Sequence, residues 1–122
     1  MADPEQLARL KEGVEVWNAW REENPEVEID LQGADLVGVT LRRANLQGAK
    51  LKRANLELVD SWGADARGAD LKGAFLKFAH FRRASLGHAN LSGAYLEHAN
   101  FDGTDLKRTR LERADLKHAV FG

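Results

Sequence analysis

A period of five residues runs through most of this chain and constrains its fold more than any other feature. Steps of five from Leu31 to Phe121 give nineteen central positions, and seventeen of them are Leu or Phe. The residue two places before each centre is Ala in fourteen of the nineteen units. Helices and sheets have periods of about 3.6 and 2, so neither explains this pattern.

The pattern predicts a solenoid. In extended backbone, residues two apart point the same way, so each unit directs one small and one large side chain to one side. A corner must follow, often at a glycine such as Gly33 or Gly73. We therefore expect the large side chains to stack inside, with the other three residues of each unit outside.

The repeating units resemble those of the pentapeptide-repeat family. The clearest are "GADLV", "RANLQ" and "HANFD", and the period continues over 29–122 without an insertion. The resemblance implies an all-β solenoid, a right-handed, four-sided parallel β-helix with 20 residues per coil. Residues 29–122 would then form nearly five coils, about 24 Å long at about 4.8 Å per coil. Residues 1–28 resemble the N-terminal helical cap and linker of bacterial members.

Charged residues twenty positions apart support four units per coil. On one side the residues after the centres are Val37, Glu57, Lys77, Glu97 and Lys117. In a stack with this period the last four would alternate in charge, which is favourable at strand spacing. The sequence therefore predicts a ladder of opposite charges on this side.

The first 24 residues have the pattern of an amphipathic helix. Asp3, Pro4 and Gln6 have the spacing of an N-terminal capping box, and Pro25 ends the segment. One face carries apolar residues at helical spacing, namely Leu7, Leu10, Val14 and Trp17. We expect one helix of about five turns that covers the open end of the first coil.

Composition argues against several classes of function. The chain has no cysteine, no apolar run long enough to cross a membrane and no signal-peptide pattern at its start. No catalytic motif or phosphate-binding loop is present, and His98 and His118, the two histidines that fall in one outward column, have no cysteine to complete a metal site. We therefore expect a cytoplasmic protein that is not an enzyme and needs no cofactor or metal.

The repeat is interrupted in one coil, where Ser61 and Ala66 occupy central positions. One interpretation is local repacking, with Phe81 of the next coil filling part of the space. The alternative is a partner site marked by an outward Trp62 among arginines. The residues of this secondary candidate site are Arg42, Arg43, Trp62, Arg82 and Arg83.

Outward apolar residues gather on one side of the middle coils. These residues are Leu58, Phe75, Phe78 and Tyr95. Soluble monomers seldom expose large contiguous apolar patches, so the cluster indicates a contact surface for a protein partner. The alternative is that Phe75 and Tyr95 only stack on each other. The favoured function is a non-catalytic binding or scaffold module.

A role connected with nucleic acids is the main alternative function. Some relatives implied by the resemblance imitate DNA and bind type II topoisomerases, which requires a strongly acidic rod. Here 1–28 has net charge −5, with eight acids and three bases, whereas 29–122 has +4, with fifteen bases and eleven acids. This charge disfavours mimicry, and the small excess of bases also disfavours direct binding. Direct binding would use the basic residues Arg42, Arg43, Lys50, Lys52, Arg53, Arg82 and Arg83.

The last coil ends on apolar centres. They are Leu106, Leu111, Leu116 and Phe121. An uncovered terminal coil presents apolar edges and unpaired backbone groups. We expect either an end-to-end homodimer about a twofold axis or further residues of a longer natural protein to cover it.

Overall fold

The computed structural model describes residues 1–122 and consists of two short helices followed by a parallel β-helix. Helix α1 spans Pro4–Glu12 and helix α2 spans Val14–Glu23. Fifteen parallel β-bridges each join residues twenty positions apart, from Asp30 with Lys50 to Asn100 with Val120. The bridging residues recur every five positions, so each coil has four sides, and each strand is reduced to its bridging residue. The predicted β-helix with 20 residues per coil is confirmed.

The interior is a continuous column of Leu, Phe and Ala. A single cluster of 29 buried residues extends from Leu10 of α1 to Phe101 of the fourth coil. Two units near the end have Thr in place of Ala, and each uses its hydroxyl group. Thr104 donates to the carbonyl of Phe81 at 2.6 Å and Thr109 to that of Leu86 at 2.8 Å. The bond satisfies the extra polar group at a position that otherwise takes a small apolar residue.

Every corner from residue 33 to residue 118 contains one residue in the left-handed conformation, two places after the centre. These residues have φ between 57° and 70°; eight are Gly and ten are not. The backbone N–H two places after the bridging residue is often held by an Asp or Asn side chain at the bridge. Eleven units make this bond, at 2.9–3.2 Å. The recurrent Asp and Asn are therefore corner-stabilising residues.

The predicted charge ladder forms no ion pairs. Glu57, Lys77, Glu97 and Lys117 occupy equivalent places in successive coils, but none takes part in a salt bridge within 4.0 Å. The five salt bridges of the chain lie elsewhere, and Lys50 pairs with Glu28 of the linker, which raises the pKa of Lys50. An exposed Lys–Glu pair contributes only about 0–1 kcal/mol, so stacking in equivalent places does not by itself produce a salt bridge. The four residues therefore occupy one column of alternating charge, as predicted, without forming salt bridges.

The prediction of one continuous N-terminal helix was wrong. Gly13 separates α1 from α2, with φ 137° and ψ 157°, a conformation that is essentially restricted to glycine. Asp3 caps α1 by accepting hydrogen bonds from Glu5 N and Gln6 N. The Gln6 side chain does not complete a capping box, because it bonds to the first coil.

The N-terminal helices replace a missing coil with side-chain amides. Gln6 donates to Glu28 O at 2.9 Å and accepts from Asp30 N at 2.8 Å. Asn18 does the same on another side, donating to Arg43 O at 2.9 Å and accepting from Asn45 N at 2.8 Å. Each amide oxygen thus takes the place of the carbonyl that a preceding coil would offer to a bridging N–H group.

Helix α2 also covers carbonyl oxygens on the side that holds Asn45. Trp17 Nε1 donates to Asn45 O at 2.8 Å, and the Arg21 guanidinium donates to Asn45 O and Gln47 O. Burial lowers the pKa of Arg21, and the nearby Asp65 carboxylate opposes this shift. On the two other sides, the N–H groups of Asp35 and Thr40 are exposed and make no bond within the chain. The helices therefore cap two of the four sides.

The interrupted coil keeps the register of the repeat. Ser61 and Ala66 are both buried at central positions, 1% exposed each. The Ser61 hydroxyl lies in the column that continues with Phe81 and Phe101, whose rings stack at 5.7 Å, and it makes no hydrogen bond. A buried polar group without a partner destabilises the coil.

Ser61→Ala is expected to raise the free energy of unfolding by about 1 kcal/mol, because it removes a buried hydroxyl without a partner. Ser61→Leu is expected to stabilise by a similar amount if the space beside Phe81 accepts the larger side chain. Urea denaturation of the three proteins measures both effects. A loss of stability in Ser61→Ala would mean that the hydroxyl is bonded in solution.

Candidate functional site

Phe75 and Tyr95 form a stacked pair on one flat side of the rod. They bridge each other in adjacent coils, with ring centroids 5.1 Å apart and planes 3° apart. Both stay well exposed, Phe75 at 39% and Tyr95 at 46%. Because the rings stack along the rod, their faces cover each other and their edges face solvent.

Leu58 and Phe78 lie at the corner that follows this side. They are 60% and 50% exposed, and both adopt the left-handed conformation, with φ of 61° and 58°. The Phe78 ring stacks on His98 at 4.7 Å, and His98 stacks on His118 at 4.8 Å. This corner is thus a short ladder of flat side chains.

A groove joins the two sets of predicted site residues. It has a volume of about 500 Å³ and is called the corner groove below. Its lining combines both candidate sets with a floor of bridging residues: Arg42, Leu58, Val59, Asp60, Trp62, Phe78, His80 and Arg82. Phe75 and Tyr95 are not part of the lining. The structure therefore separates the stacked pair from Leu58 and Phe78, and places the latter two beside Trp62.

Trp62 is half-buried and surrounded by cations. The guanidinium carbons of Arg42 and Arg43 lie 5.1 Å and 5.2 Å from its ring centroid, within cation–π range. Arg42 also pairs with Asp60 at 3.2 Å, and Arg82 pairs with Asp102 at 3.3 Å. The indole is therefore held in place by its neighbours.

The floor of the corner groove was missed by the sequence analysis. Asp60 and His80 bridge each other in adjacent coils, and neither was singled out beforehand. The Nδ1 atom of His80 and the Nε atom of Arg82 are shielded from solvent and make no hydrogen bond. Stepping by twenty residues along the bridging positions of this side would have identified both residues from the sequence.

The exposed apolar residues occupy places where the repeat favours other residues. Phe75 and Tyr95 take bridging positions at which eleven units have an Asp or Asn that stabilises the corner. Leu58 and Phe78 are the only apolar residues at left-handed positions, which are otherwise Gly, Arg or His. A left-handed conformation costs a residue with a Cβ atom roughly 1–2 kcal/mol. At all four positions, the side chain replaces a residue that would suit the fold better.

A second groove, on another corner, is entirely polar and mostly basic. It has a volume of about 600 Å³ and is called the basic groove below. Its charged residues are Lys52, Arg53, Lys72, Arg110, Glu112 and Arg113. Only Arg110 is paired, with Glu112 at 3.4 Å, and hydrogen bonds from the Glu112 backbone N–H and from Arg110 lower the pKa of Glu112. Of the residues weighed earlier for nucleic-acid binding, the groove contains only Lys52 and Arg53.

The apolar centres of the last coil are less covered than those before it. Leu106, Leu111 and Leu116 are half-buried, whereas the centres of the first four coils up to Phe101 are buried. Phe121 stacks on Phe101 at 5.3 Å and is itself half-exposed. These residues form the apolar end predicted from the sequence.

Neither helix is long and apolar enough to cross a membrane. No three His, Asp or Glu side chains come close enough together to hold a metal ion.

The sequence matches the profile of pentapeptide repeats over residues 27–60, 63–97 and 89–122, with eight copies. These matches cover most of the chain and coincide with its coils. The chain therefore belongs to the pentapeptide-repeat family.

Several solved structures are similar to it. The pentapeptide-repeat protein Rfr23 from the cyanobacterium Cyanothece 51142 is 25% identical, with 86% of this chain and 97% of that chain covered and a TM-score of 0.47. The pentapeptide-repeat protein alr5209 from Nostoc PCC 7120 is 25% identical, with 85% and 93% covered and a TM-score of 0.44. HetL, involved in heterocyst differentiation regulation in Nostoc sp. strain PCC 7120, is 29% identical, with 76% and 62% covered and a TM-score of 0.40. No curated protein sequence matches at a significant level.

Proposed function

We propose that this protein is a non-catalytic binding module whose protein partner docks on the stacked pair and the adjoining corner groove. The observation that carries the proposal is the placement of Leu58, Phe75, Phe78 and Tyr95. Each is an exposed apolar side chain at a position where a residue better suited to the repeat is available. We place the protein in the cytoplasm, since a chain without cysteine needs no oxidising compartment to fold.

The chemistry of this surface suits a protein interface. Aromatic residues and arginine are enriched at the centres of such interfaces, and Trp, Tyr and Arg supply most of the binding energy. Trp62, Tyr95 and Arg82 all lie on this part of the rod. Catalysis would instead require an enclosed pocket with converging titratable groups. The open corner groove is better suited to a segment of another chain.

Affinity capture with the intact chain and with a Phe75→Asp/Tyr95→Asp variant tests the proposal. We expect a partner to be retained by the intact chain and lost by the variant, because two carboxylates would be buried on docking. Ser85→Asp/Asn90→Asp is the matched control, since it adds the same acids at bridging positions on other sides. A partner retained equally by all three proteins would contradict the proposed surface.

The basic groove favours a second candidate, direct binding of nucleic acid. Lys52, Arg53, Lys72 and Arg113 form no salt bridge and surround a groove without apolar residues, which suits contacts with phosphate groups. The test is a mobility-shift titration of duplex DNA and RNA with the chain and a Lys52→Glu/Lys72→Glu variant at two salt concentrations. Salt-sensitive binding that the variant loses supports this candidate, and no binding by the chain rejects it.

An end-to-end homodimer through the last coil remains our expectation. Phe121 offers an exposed ring beside three half-buried leucines, and a twofold contact would cover all four residues on both copies. Sedimentation velocity over a range of concentrations is expected to show a dimer that Phe121→Asp abolishes. Arg110→Asp, at a bridging position in the same coil, controls for added charge. A monomer at the highest concentration would reject the dimer.

A further inference from the structure

We propose that the corner groove binds an extended peptide segment in which acidic side chains alternate with bulky apolar ones. The inference rests on the proposed function, because it names the chemistry of the partner at the same surface. The supporting observation is that one groove combines an apolar wall, a cationic wall and aromatic rings.

The two walls of the groove differ in chemistry. Leu58 and Phe78 form an apolar wall at the corner, and both are at least half-exposed. Arg42 and Arg82 lie on the opposite wall, on either side of Trp62 in successive coils. A segment lying between the walls would contact apolar carbon on one side and guanidinium groups on the other. Side chains alternate in direction along an extended peptide, so apolar and acidic residues in turn would reach both walls.

Charge around the groove favours an acidic ligand. Four arginines occupy the places of Trp62 and Gly63 in the two adjacent coils: Arg42 and Arg43 in the coil before, and Arg82 and Arg83 in the coil after. Only two carboxylates oppose them, Asp60 and Asp102, each engaged by one arginine at 3.2 Å and 3.3 Å. Arg43 and Arg83 have no ion-pair partner. An arginine guanidinium is suited to bidentate contact with a carboxylate.

The rings of the groove favour a peptide over a single-stranded nucleic acid. Sequence-tolerant nucleic-acid binding relies on bases that stack on open aromatic faces. Here the Phe78 ring is stacked on His98 with planes 6° apart, and Trp62 lies within range of two guanidinium groups. Stacking on His98 covers one face of the Phe78 ring, and the ring edge, which carries the positive part of the ring quadrupole, stays free for a ligand. It therefore attracts a carboxylate or packs against an aliphatic side chain.

The groove also contains one hydrogen-bond donor, an arginine N–H group, that makes no hydrogen bond within the chain. Arg82 Nε makes no hydrogen bond, although the same guanidinium contacts Asp102. The Arg82 side chain is 43% exposed, so it has room to rotate and direct this N–H toward a bound carboxylate. The groove volume of about 500 Å³ lies within the usual range of about 300–1,000 Å³ for ligand sites.

Fluorescence anisotropy with labelled hexapeptides of known sequence tests the inference. The probes are (Glu-Phe)3, (Lys-Phe)3 and (Glu-Ser)3. We expect the chain to bind (Glu-Phe)3 at least about tenfold more tightly than either of the other two, and less tightly as salt is raised. Equal binding of (Glu-Phe)3 and (Lys-Phe)3, or no binding of (Glu-Phe)3, would overturn the inference.

Two variants locate the binding site without unfolding the rod. Phe78→Gly removes the aromatic part of the apolar wall and places glycine at a left-handed position, so we expect an unchanged or higher thermal midpoint with roughly tenfold weaker peptide binding. His88→Gly is the matched control, being an exposed left-handed corner residue on another side, and it should bind like the parent. Arg82→Gln should reduce the preference for (Glu-Phe)3 over (Lys-Phe)3. Parent-like binding by Phe78→Gly would overturn the proposed site.

Two further outcomes separate this inference from its alternatives. If an oligothymidine displaces (Glu-Phe)3 and binds more tightly, the groove is a nucleic-acid site and the peptide inference is wrong. If no peptide binds but Phe75→Asp/Tyr95→Asp still loses a captured protein, the proposed function stands and only the acidic-peptide chemistry fails.

Discussion

Trp17→Ala is expected to lower the free energy of unfolding by about 3–5 kcal/mol, the usual loss for a buried Trp replaced by Ala. Trp17 has no exposed surface and packs into the same cluster as the first coil. Its indole N–H also donates to Asn45 O, a carbonyl that no preceding coil can reach. The substitution would thus create a cavity and loosen α2 from the rod. Urea denaturation followed by circular dichroism measures the loss.

Two matched substitutions separate packing from hydrogen bonding at the cap. Trp17→Phe keeps most of the volume, and Asn45 O retains the Arg21 donor at 3.1 Å, so we expect a loss of only about 1 kcal/mol. Trp20→Ala removes a partly buried ring 5.4 Å from Trp17 and is expected to have an intermediate effect. Trp17→Ala with parent-like stability would show that α2 does not stabilise the first coil.

Leu76→Ala in the middle of the rod is expected to cost about 2–5 kcal/mol of stability. Leu76 has no exposed surface and lies between Leu56 and Leu96 of the adjacent coils. The rod already tolerates Ala66 at a central position, so the variant should remain folded enough to measure. Thermal and urea unfolding provide two independent readouts.

The same substitution at the end of that column is the control. Leu116 is half-buried, so Leu116→Ala is expected to cost about 1–2 kcal/mol. In a solenoid each coil contacts only its neighbours, so a central position has two interfaces to lose and a terminal position has one. Equal losses at Leu76 and Leu116 would indicate that the last coil is covered in solution, as an end-to-end dimer would cover it.

Much of the rod was predictable from the sequence because its periodicity is redundant. Of the nineteen units, seventeen have Leu or Phe at the centre and fourteen have Ala two places before it, so exceptions such as Ser61 did not hide the pattern. Side-chain direction in extended backbone then determines which residues face inward. The burial of Ser61 and Ala66 was predicted for the same reason.

The cap was predicted less well, because its hydrogen bonds are not local. Helical spacing identified the buried face of Leu10 and Trp17, but Gln6 has the spacing of a capping box and bonds instead to Glu28 and Asp30. The break at Gly13 is equally invisible in apolar spacing, which continues from Leu10 to Trp17 across it. The unpaired backbone N–H and C=O groups at the start of the rod bind the Gln6 side-chain amide instead of the helix terminus. Only the folded chain brings these groups within hydrogen-bonding distance of it.

By itself, the sequence determined the period, the inward residues and the corners of this protein, because each depends on neighbours within five positions. Only the tertiary structure decided which outward residues meet. The winding brings residues twenty positions apart into contact, so Leu58, Phe78 and Trp62 line one groove while Phe75 and Tyr95 form a separate pair. It also left Glu57, Lys77, Glu97 and Lys117 without ion pairs. Buried side chains are held by packing, whereas exposed ones are placed by weak contacts between coils that the repeat does not encode.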